Sequence, residues 1–297
     1  MDVSLFAVLF NGVSLASILL LAAVGLSVTF GLMGIINMAH GEFIMIGAYT
    51  AYVVQGLLLK SIGDAYYFVA LIASFFVAAA FGLVLEQLVI KRLYGRETDS
   101  LLATWGVSLV MQQLARSIFG APNVNVVAPT FLNGGITLLG ATISFKRLFI
   151  IALVGVTLFF VWALFYRTRY GRRMRACIQN REMAQCLGIR SDRIDSTTFA
   201  LGSGLAGIAG CALTLLGSIG PSLGQNYIVD TFMVVVLGGV GKIIGAVAGA
   251  FIIGLSSTGL EFLTTASIAK AAVLFLVILF LQKKPQGLFV IRSRSLD

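Results

Sequence analysis

Long apolar runs, separated by short polar segments, follow one another along most of the chain. The runs cover residues 4–30, 31–59, 66–90, 101–119, 149–165, 199–216, 227–260 and 268–281. A bilayer core of roughly 30 Å needs about 20 helical residues to cross it, so each run predicts a membrane-spanning helix. The run at 227–260 is too long for one ordinary helix and predicts two crossings hinged near residues 238–242. The pattern therefore predicts an all-α polytopic bundle of about eight or nine spans, forming one transmembrane domain over residues 1–297.

Glycines interrupt two of these runs. The first interruption, GLMGIINMAHGEFIMIG at residues 31–47, predicts a second span whose first half is broken, and the other, GGVGKIIGAVAGAFIIG, lies at residues 238–254. The glycines that matter here are Gly41 and Gly47 in the first segment and Gly239, Gly241 and Gly245 in the second. Unwound backbone at membrane depth lines cavities, whereas small residues at GxxxG spacing bring helices together. We favour packing for each glycine alone, and both interpretations stay open for the paired segments.

Residues 166–197, YRTRYGRRMRACIQNREMAQCLGIRSDRIDST, form the only long polar segment between apolar runs, and they contain eight arginines. A segment so basic is excluded from the bilayer and lies on the cytoplasmic face by the positive-inside rule. Within it, residues 181–188 predict a short helix that ends at a glycine. From composition alone, docking of a soluble partner and a solvated connector are equally good interpretations.

Composition and charge agree with a membrane protein. Hydrophobic residues make up 59% of the chain, charged residues 11%, and the mean hydropathy is +0.99. The net charge of +9 is concentrated in the central segment, in the loop after residue 90 and in the C-terminal tail, so it indicates topology rather than nucleic-acid binding. Counting from these segments places the N-terminus outside and the C-terminus in the cytoplasm. The three cysteines predict neither a disulfide framework nor a metal site. The N-terminus has no basic region, so we do not predict a cleaved signal peptide.

Ionisable residues at membrane depth indicate function because burying them is costly. His40 and Glu42, with Asn37 beside them, lie in the first glycine-broken segment. They could line a conduit for a polar solute or cap the broken helix, and we slightly favour the capping role. The sequence GGVGK lacks the first glycine and the Ser/Thr of a phosphate-binding loop, and no catalytic cluster can be assembled, so we expect no enzymatic activity.

The segments GLMGIINMAHGEFIMIGAY, REMAQCLGIRSDR and VVLGGVGKIIGA resemble permease subunits of ABC importers of the branched-chain amino acid and urea type. The likeness runs nearly end to end. It includes a match to the EAA-x3-G core of importer coupling helices, carried by Glu182, Ala184 and Gly188, although the downstream I-x-L-P is missing. The resemblance implies that residues 181–190, with Arg181 and Ile189, dock into a cytoplasmic ATPase.

The resemblance also implies the partners and the location of the chain. It implies a second, related permease subunit, two cytoplasmic ATP-binding subunits and an extracytoplasmic solute-binding protein, in a bacterial-type inner membrane in contact with lipid. ATP and Mg would then bind to the partner subunits, and this chain would hold no cofactor. Alternating access would move the solute, driven by the partner ATPases.

Within that family, the sequence LLATWGVSL at residues 101–109 and the aspartate before the second glycine segment look closest to the urea branch. Since the NMAHGE-like segment is shared across the family, Thr104, Trp105 and Asp230 are the candidates for solute selection. The alternative is a branched-chain amino acid permease. Two mechanisms of another class also remain open, a passive channel for urea or a similar amide and an ion-coupled transporter.

Overall fold

The computed structural model describes residues 2–94, 96–138 and 141–289, and helices account for most of this part of the chain. The helices are α1 (Asp2–Met33), α2 (His40–Ile62), α3 (Tyr66–Leu88), α4 (Glu97–Phe119), α5 (Phe145–Arg167), α6 (Arg169–Gln179), α7 (Arg181–Cys186), α8 (Ser191–Leu213), α9 (Leu223–Gly238), α10 (Ile243–Leu263) and α11 (Ala266–Lys283). Two short antiparallel strands, β1 (Gly135–Leu138) and β2 (Ala141–Ser144), form a hairpin before α5. The predicted all-α polytopic fold is confirmed.

Six helical segments of the described chain are long and apolar enough to cross a membrane. They are Ala7–Met33, His40–Arg92, Phe145–Arg167, Ser191–Leu213, Ile243–Leu263 and Ala266–Lys283, and the second of them contains both α2 and α3. The apolar α9 is shorter, and α4 is not among the six. Counting α2 and α3 separately and adding α4 and α9 gives nine long helices among the described residues, in line with the predicted eight or nine spans.

The predicted position of one break was wrong. The break lies at residues 34–39, before the second span, so that α2 is a continuous helix and Gly41 and Gly47 lie inside it. The basic segment at residues 166–197 contains more helix than the short one predicted at residues 181–188, since α6, α7 and the first turns of α8 lie in it. Between α4 and α5, the chain includes the paired strands β1 and β2. By contrast, the predicted hinge after residue 238 is confirmed as a non-helical segment between α9 and α10, and the basic tail beyond residue 289 lies outside the described residues.

Both α2 and α9 begin inside the bundle. Nε2 of His40, the first residue of α2, lies 3.1 Å from the carbonyl oxygen of Ala22. Ala22 is eleven residues before the end of α1, which is roughly 16 Å along the helix axis. The start of α9 meets the start of α2, because a Cβ added at either Gly41 or Gly224 would lie 2.4 Å from the other glycine's carbonyl oxygen. The non-helical segments before α2 and α9 therefore carry the chain into the core.

The first and last thirds of the chain share one plan. In each, a long helix (α1 or α8) is followed by a non-helical segment, a helix that begins in the core (α2 or α9) and a returning helix (α3 or α10). α1 packs against α8 and α10, and α8 packs against α1 and α3, as an exchange of the two halves requires. Gly41 and Gly224, each near the start of the helix that begins in the core, meet where the two halves come together. Structural repeats recur in transporters, with the solute site between the repeated units.

The chain after α11 closes the break between α9 and α10. The backbone N–H of Leu288 donates to the carbonyl of Leu237 at 2.9 Å, and that of Phe289 donates to the carbonyl of Gly238 at 3.2 Å. These carbonyls belong to the last turn of α9, which has no helical partners of its own. The returning segment thus completes the hydrogen bonding of a helix end, and Gly239 and Gly241, with φ of 98° and 78°, turn the chain there.

Candidate functional site

The segment before α2 is held by side chains that satisfy its backbone. Oδ1 of Asn37 accepts a hydrogen bond from the N–H of Ala39 at 3.0 Å. His40 is 1% exposed and its Nε2–H donates to the carbonyl of Ala22, which ties the start of α2 to α1. Asn37 therefore satisfies backbone in the segment before α2, whereas His40 ties the start of α2 to the middle of α1. For His40 and Glu42, both the capping role and a part in a solute path stay predictions.

The helix α4 is amphipathic in an unusual sense, because its buried face is polar and its exposed face apolar. The buried side chains recur at every fourth position: Ser100, Thr104, Ser108 and Gln112. The exposed ones include Leu102, Trp105, Leu109, Val110, Leu114 and Ile118. Residues four apart lie on one face of a helix. The polar face of α4 must therefore find polar partners within the bundle.

Those partners lie on α2 and on the segment before it. The Thr104 hydroxyl accepts from the N–H of Met38 at 3.1 Å. The Ser108 hydroxyl and the Gln112 amide both donate to Oε1 of Glu42, at 2.8 and 2.9 Å. We call the buried polar side chains of this region the polar seam. They are Glu42 and Tyr49 of α2, Asn37 of the segment before it, and Thr104, Ser108 and Gln112 of α4.

Three polar atoms of the polar seam have no hydrogen-bond partner among the described residues: Nδ2 of Asn37, Oε2 of Glu42 and the hydroxyl of Tyr49. Each of these residues is at most 3% exposed. A buried polar atom left unpaired costs about 1–3 kcal/mol. A solute or water that supplied the missing hydrogen bonds would be bound favourably at this position.

The structure brings together only some of the predicted solute residues. Asn37, Glu42 and Thr104 share the polar seam, whereas Trp105 points the other way and is 49% exposed. Asp230 forms an ion pair with Lys270 of α11 at 3.4 Å and is not part of the polar seam. Sequence reasoning missed Tyr49, Ser108 and Gln112, although the four-residue period of the polar side chains in α4 was a readable signal.

The predicted glycines divide into two kinds. A Cβ at Gly47 would lie 2.0 Å from the carbonyl oxygen of Gly207, and one at Gly245 would lie 2.2 Å from that of Gly238. With Gly41, these residues lie within helices and allow backbones to touch, so they are packing glycines. Gly239 and Gly241 have positive φ and belong to the break between α9 and α10.

On the cytoplasmic side, α7 is a six-residue helix whose two ends are capped. Oδ1 of Asn180 accepts from the N–H of Met183 at 2.9 Å. At the other end, the N–H of Ile189 donates to the Ala184 carbonyl and that of Gly188 to the Gln185 carbonyl, with Gly188 at φ 80°. This pair of bonds is a Schellman motif, in which the left-handed position favours glycine. The predicted glycine stop is confirmed.

One face of α7 is fixed to the bundle. Arg181 forms an ion pair with Asp195, which is fully buried at the start of α8, and its guanidinium lies 5.1 Å from the ring centre of Tyr94. Tyr94 in turn donates to Glu86 at 3.4 Å. Burial first, and then the negative charges of Asp195 and Glu86, raise the pKa of Tyr94, which stays a donor. This network joins α7 to the inner ends of α3 and α8.

The opposite face of α7 is exposed and partly apolar. Met183 and Leu187 are 59% and 76% exposed, and Glu182 and Gly188 lie on the same open side. Of the five predicted coupling residues, Arg181, Ala184 and Ile189 instead contact the rest of this chain or are partly covered by it. The exposed apolar residues Met183 and Leu187 were not among the predicted coupling residues.

Within the described residues, no group of three or more His, Cys, Asp or Glu side chains is placed to hold a metal ion. What the geometry offers is a buried set of hydrogen-bonding groups between two helices and an exposed apolar surface on the cytoplasmic side. Both suit transport better than covalent chemistry.

Comparison with known proteins gives the family. Residues 8–282 match the family described as branched-chain amino acid transport system, permease component. The high-affinity branched-chain amino acid transport system permease protein LivH of Salmonella typhimurium is 31% identical over 259 residues, covering 84% of this chain and 83% of the relative. BraD of Pseudomonas aeruginosa, which carries the same description, is 31% identical over 258 residues with the same coverage. The probable branched-chain amino acid transport permease protein LivH of Methanocaldococcus jannaschii is 30% identical over 254 residues, covering 82% and 77%. No solved structure matches the chain.

These relatives correct one expectation. They support an ABC importer permease and the branched-chain amino acid alternative, and they give no support to the urea branch. The relatives are transport permeases rather than enzymes, and the apolar helices make this chain a multi-pass protein of the inner membrane. With a match that covers nearly its whole length, the chain belongs to the family of permease components of branched-chain amino acid transport systems.

Proposed function

We propose that this chain is a translocating subunit of an ATP-driven importer that carries branched-chain amino acids into the cytoplasm by alternating access. The observation that carries the proposal is the continuous family match over residues 8–282, which includes both the polar seam and α7. A branched-chain amino acid has a zwitterionic end and an apolar end. Its path needs hydrogen-bonding groups beside apolar surface. The polar seam supplies such groups and lies among apolar side chains of the bundle.

The partners follow from the same proposal. A second, related permease chain, two cytoplasmic ATP-binding subunits and an extracytoplasmic solute-binding protein would complete the importer. The exposed Met183 and Leu187 of α7 suit a groove on an ATP-binding subunit, since apolar side chains exposed on a basic cytoplasmic face gain by being covered. The Arg181–Asp195 ion pair would pass a displacement of α7 to α8.

The experiment that tests this function is ATP hydrolysis by the complete reconstituted importer, with its binding protein, titrated with leucine and separately with urea. We expect stimulation by leucine and none by urea, accompanied by uptake of labelled leucine into the vesicles. Stimulation by urea alone would overturn the choice of solute and keep the ATP-driven importer.

Two other mechanisms predict different results in the same vesicles. A passive channel would carry solute without ATP and without the binding protein. An ion-coupled transporter would follow an imposed proton or sodium gradient after ATP is removed. Leucine uptake that requires ATP and ignores both gradients would exclude these mechanisms.

A further inference from the structure

An apolar cavity of about 370 Å³ lies against the outer end of the polar seam. Met45 and Tyr49 of α2 and Met111, Ala115 and Phe119 of α4 contribute to its lining. Its volume falls in the range of about 300–1,000 Å³ that is usual for small-molecule sites. The cavity is open on the side away from the bundle, between α3 and α4, where Phe81 and Leu114 are about half exposed.

The cavity and the polar seam are continuous along the two helices. Glu42, Met45 and Tyr49 follow at three and four residues on α2, so they share one face of that helix. On α4, Ser108 and Gln112 lie one turn from Met111 and Ala115. Tyr49 belongs to both: its ring stacks on Phe119 with ring centres 4.3 Å apart and lines the cavity, and its hydroxyl is buried without a partner.

The unpartnered atoms complement one class of ligand. Oε2 of Glu42 can only accept when the carboxylate is ionised, and an α-ammonium group has three N–H donors. Nδ2 of Asn37 can only donate, and the α-carboxylate can accept from it. An aliphatic side chain would then fill the apolar cavity. A lipid acyl chain would suit the cavity but would leave all three polar atoms unpaired.

We infer that the polar seam and this cavity together are the binding site for a zwitterionic aliphatic amino acid in the permease, with its ammonium on Glu42 and its side chain between Met45, Met111 and Phe119. This inference rests on the proposed function and adds to it the place and the contacts of the solute. The helix that would open the site is α4, which packs chiefly against α2.

The experiment uses a leucine analogue that bears a photoreactive diazirine in its side chain, added to the complete reconstituted importer with its binding protein and trapped with a non-hydrolysable ATP analogue. We expect label on peptides that contain Met45, Tyr49, Met111 or Ala115, and its suppression by excess leucine. A parallel sample receives a phospholipid that carries the diazirine in an acyl chain.

Two substitutions sharpen the test. Tyr49→Phe removes only the unpartnered hydroxyl. If this hydroxyl does not bind the solute, the variant should have an unchanged or slightly higher melting temperature and unchanged labelling. A contact with the solute predicts labelling reduced by about five-fold, the value of one lost neutral hydrogen bond. Glu42→Gln keeps an acceptor for Ser108 and Gln112 but loses the charge, and should reduce labelling by roughly ten-fold or more. Tyr52→Phe is the matched control, since Tyr52 also packs on Phe119 and its side chain is only partly buried.

The outcomes separate the two proposals. If the unaltered importer takes up leucine but the analogue labels other helices, the site is wrong and the function stands. If the lipid probe labels the cavity and leucine does not compete, the cavity is a lipid groove and the inference is overturned. If leucine neither stimulates hydrolysis nor enters, the proposed function fails and the site fails with it.

Discussion

At the scale of single residues, the bundle depends on glycines at which another backbone occupies the space of a side chain. Gly25, Gly41 and Gly47 each face a backbone carbonyl of α8 or α9 at a distance that would not admit a Cβ. Van der Waals contact and weak polar contact between helices replace the hydrophobic effect inside a membrane, so close approach is a main source of stability there. These glycines therefore determine how near α1 and α2 come to the opposite half.

We expect Gly47→Ala to destabilise the protein and Gly56→Ala to leave it as stable or slightly more so. The Cβ at residue 47 would meet the Gly207 carbonyl oxygen at 2.0 Å, whereas the one at Gly56, also on α2, would meet nothing within 4 Å. Overpacking costs about 1–3 kcal/mol, and an exposed helical Gly→Ala gains about 0.5–1 kcal/mol. Thermal unfolding of the purified variants in detergent measures both. Equal melting temperatures for the two variants would contradict the close contact.

At the scale of elements, α4 joins the bundle through a row of buried hydrogen bonds to α2, beside the apolar contact of Phe119 with Tyr49. Its polar face holds Glu42 and the backbone of residue 38, and its apolar face is left for lipid or for a second permease chain. The helix is thus oriented by a few specific hydrogen bonds. Removing one of them should lower the stability of the protein more than removing a surface contact.

Gln112→Leu tests this orientation. The change removes one of the two donors to Oε1 of Glu42, and we expect a loss of about 1–3 kcal/mol in stability because a buried carboxylate keeps fewer partners. Gln113→Leu, the neighbouring change on the exposed side, should stay within about 0.5 kcal/mol of the original protein. Thermal unfolding again gives the comparison, and a neutral Gln112→Leu would show that the polar seam does not hold α4.

The cap of α7 gives a prediction about coupling. Gly188→Val places a β-branched side chain at φ 80°, where such residues are strongly disfavoured, so the Schellman motif should be lost and the exposed face of α7 displaced. We expect normal membrane insertion and assembly of this variant. Its ATP hydrolysis should no longer rise with leucine, and its leucine uptake should be lower than that of the unaltered protein. Gly188→Asn should largely preserve coupling, because asparagine tolerates the left-handed region. Normal solute-stimulated hydrolysis in the valine variant would count against docking through α7.

The elements also show what the sequence could and could not predict. Hydropathy located the long helices, and Gly188 located the end of α7, because both depend on local composition and backbone conformation. The position of the break before α2 was missed, since the glycines that suggested it at residues 41 and 47 are needed for packing against α8 and α9 instead. The ion pair of Asp230 with Lys270 was not predicted, because the two residues are forty positions apart in the sequence and only the fold brings them together, and the role of Asp230 in solute selection stays a prediction.

At the scale of the whole molecule, two halves of similar plan meet along α1 and α8. Gly25 and Gly202 face each other there, and a Cβ on either would lie within 2.7 Å of the other's carbonyl oxygen. Separation of the halves by one substitution would make room for the second, so the two residues are coupled through a single distance between helices.

We therefore expect the double variant Gly25→Ala with Gly202→Ala to lose less stability than the sum of the single losses. Residues in contact commonly show interaction energies of about 0.5–3 kcal/mol. The control pairs Gly25→Ala with Gly106→Ala, since residue 106 has nothing within 4 Å of its Cβ position and should behave additively. Thermal unfolding of the single and double variants completes the cycle, and additivity at 25 and 202 would show that the halves do not meet there.

The polar face of α4 also bears on how the protein is made. Ser100, Thr104, Ser108 and Gln112 lower the hydropathy of this helix, which is not among the six segments apolar enough to cross a membrane. A helix of this kind leaves the translocon for lipid unfavourably when it is alone. Once α2 and α3 are in the bilayer, Glu42 and the backbone of residue 38 can receive its polar face. Biogenesis would then follow the order of synthesis, with the α2–α3 hairpin serving as the template on which α4 is inserted.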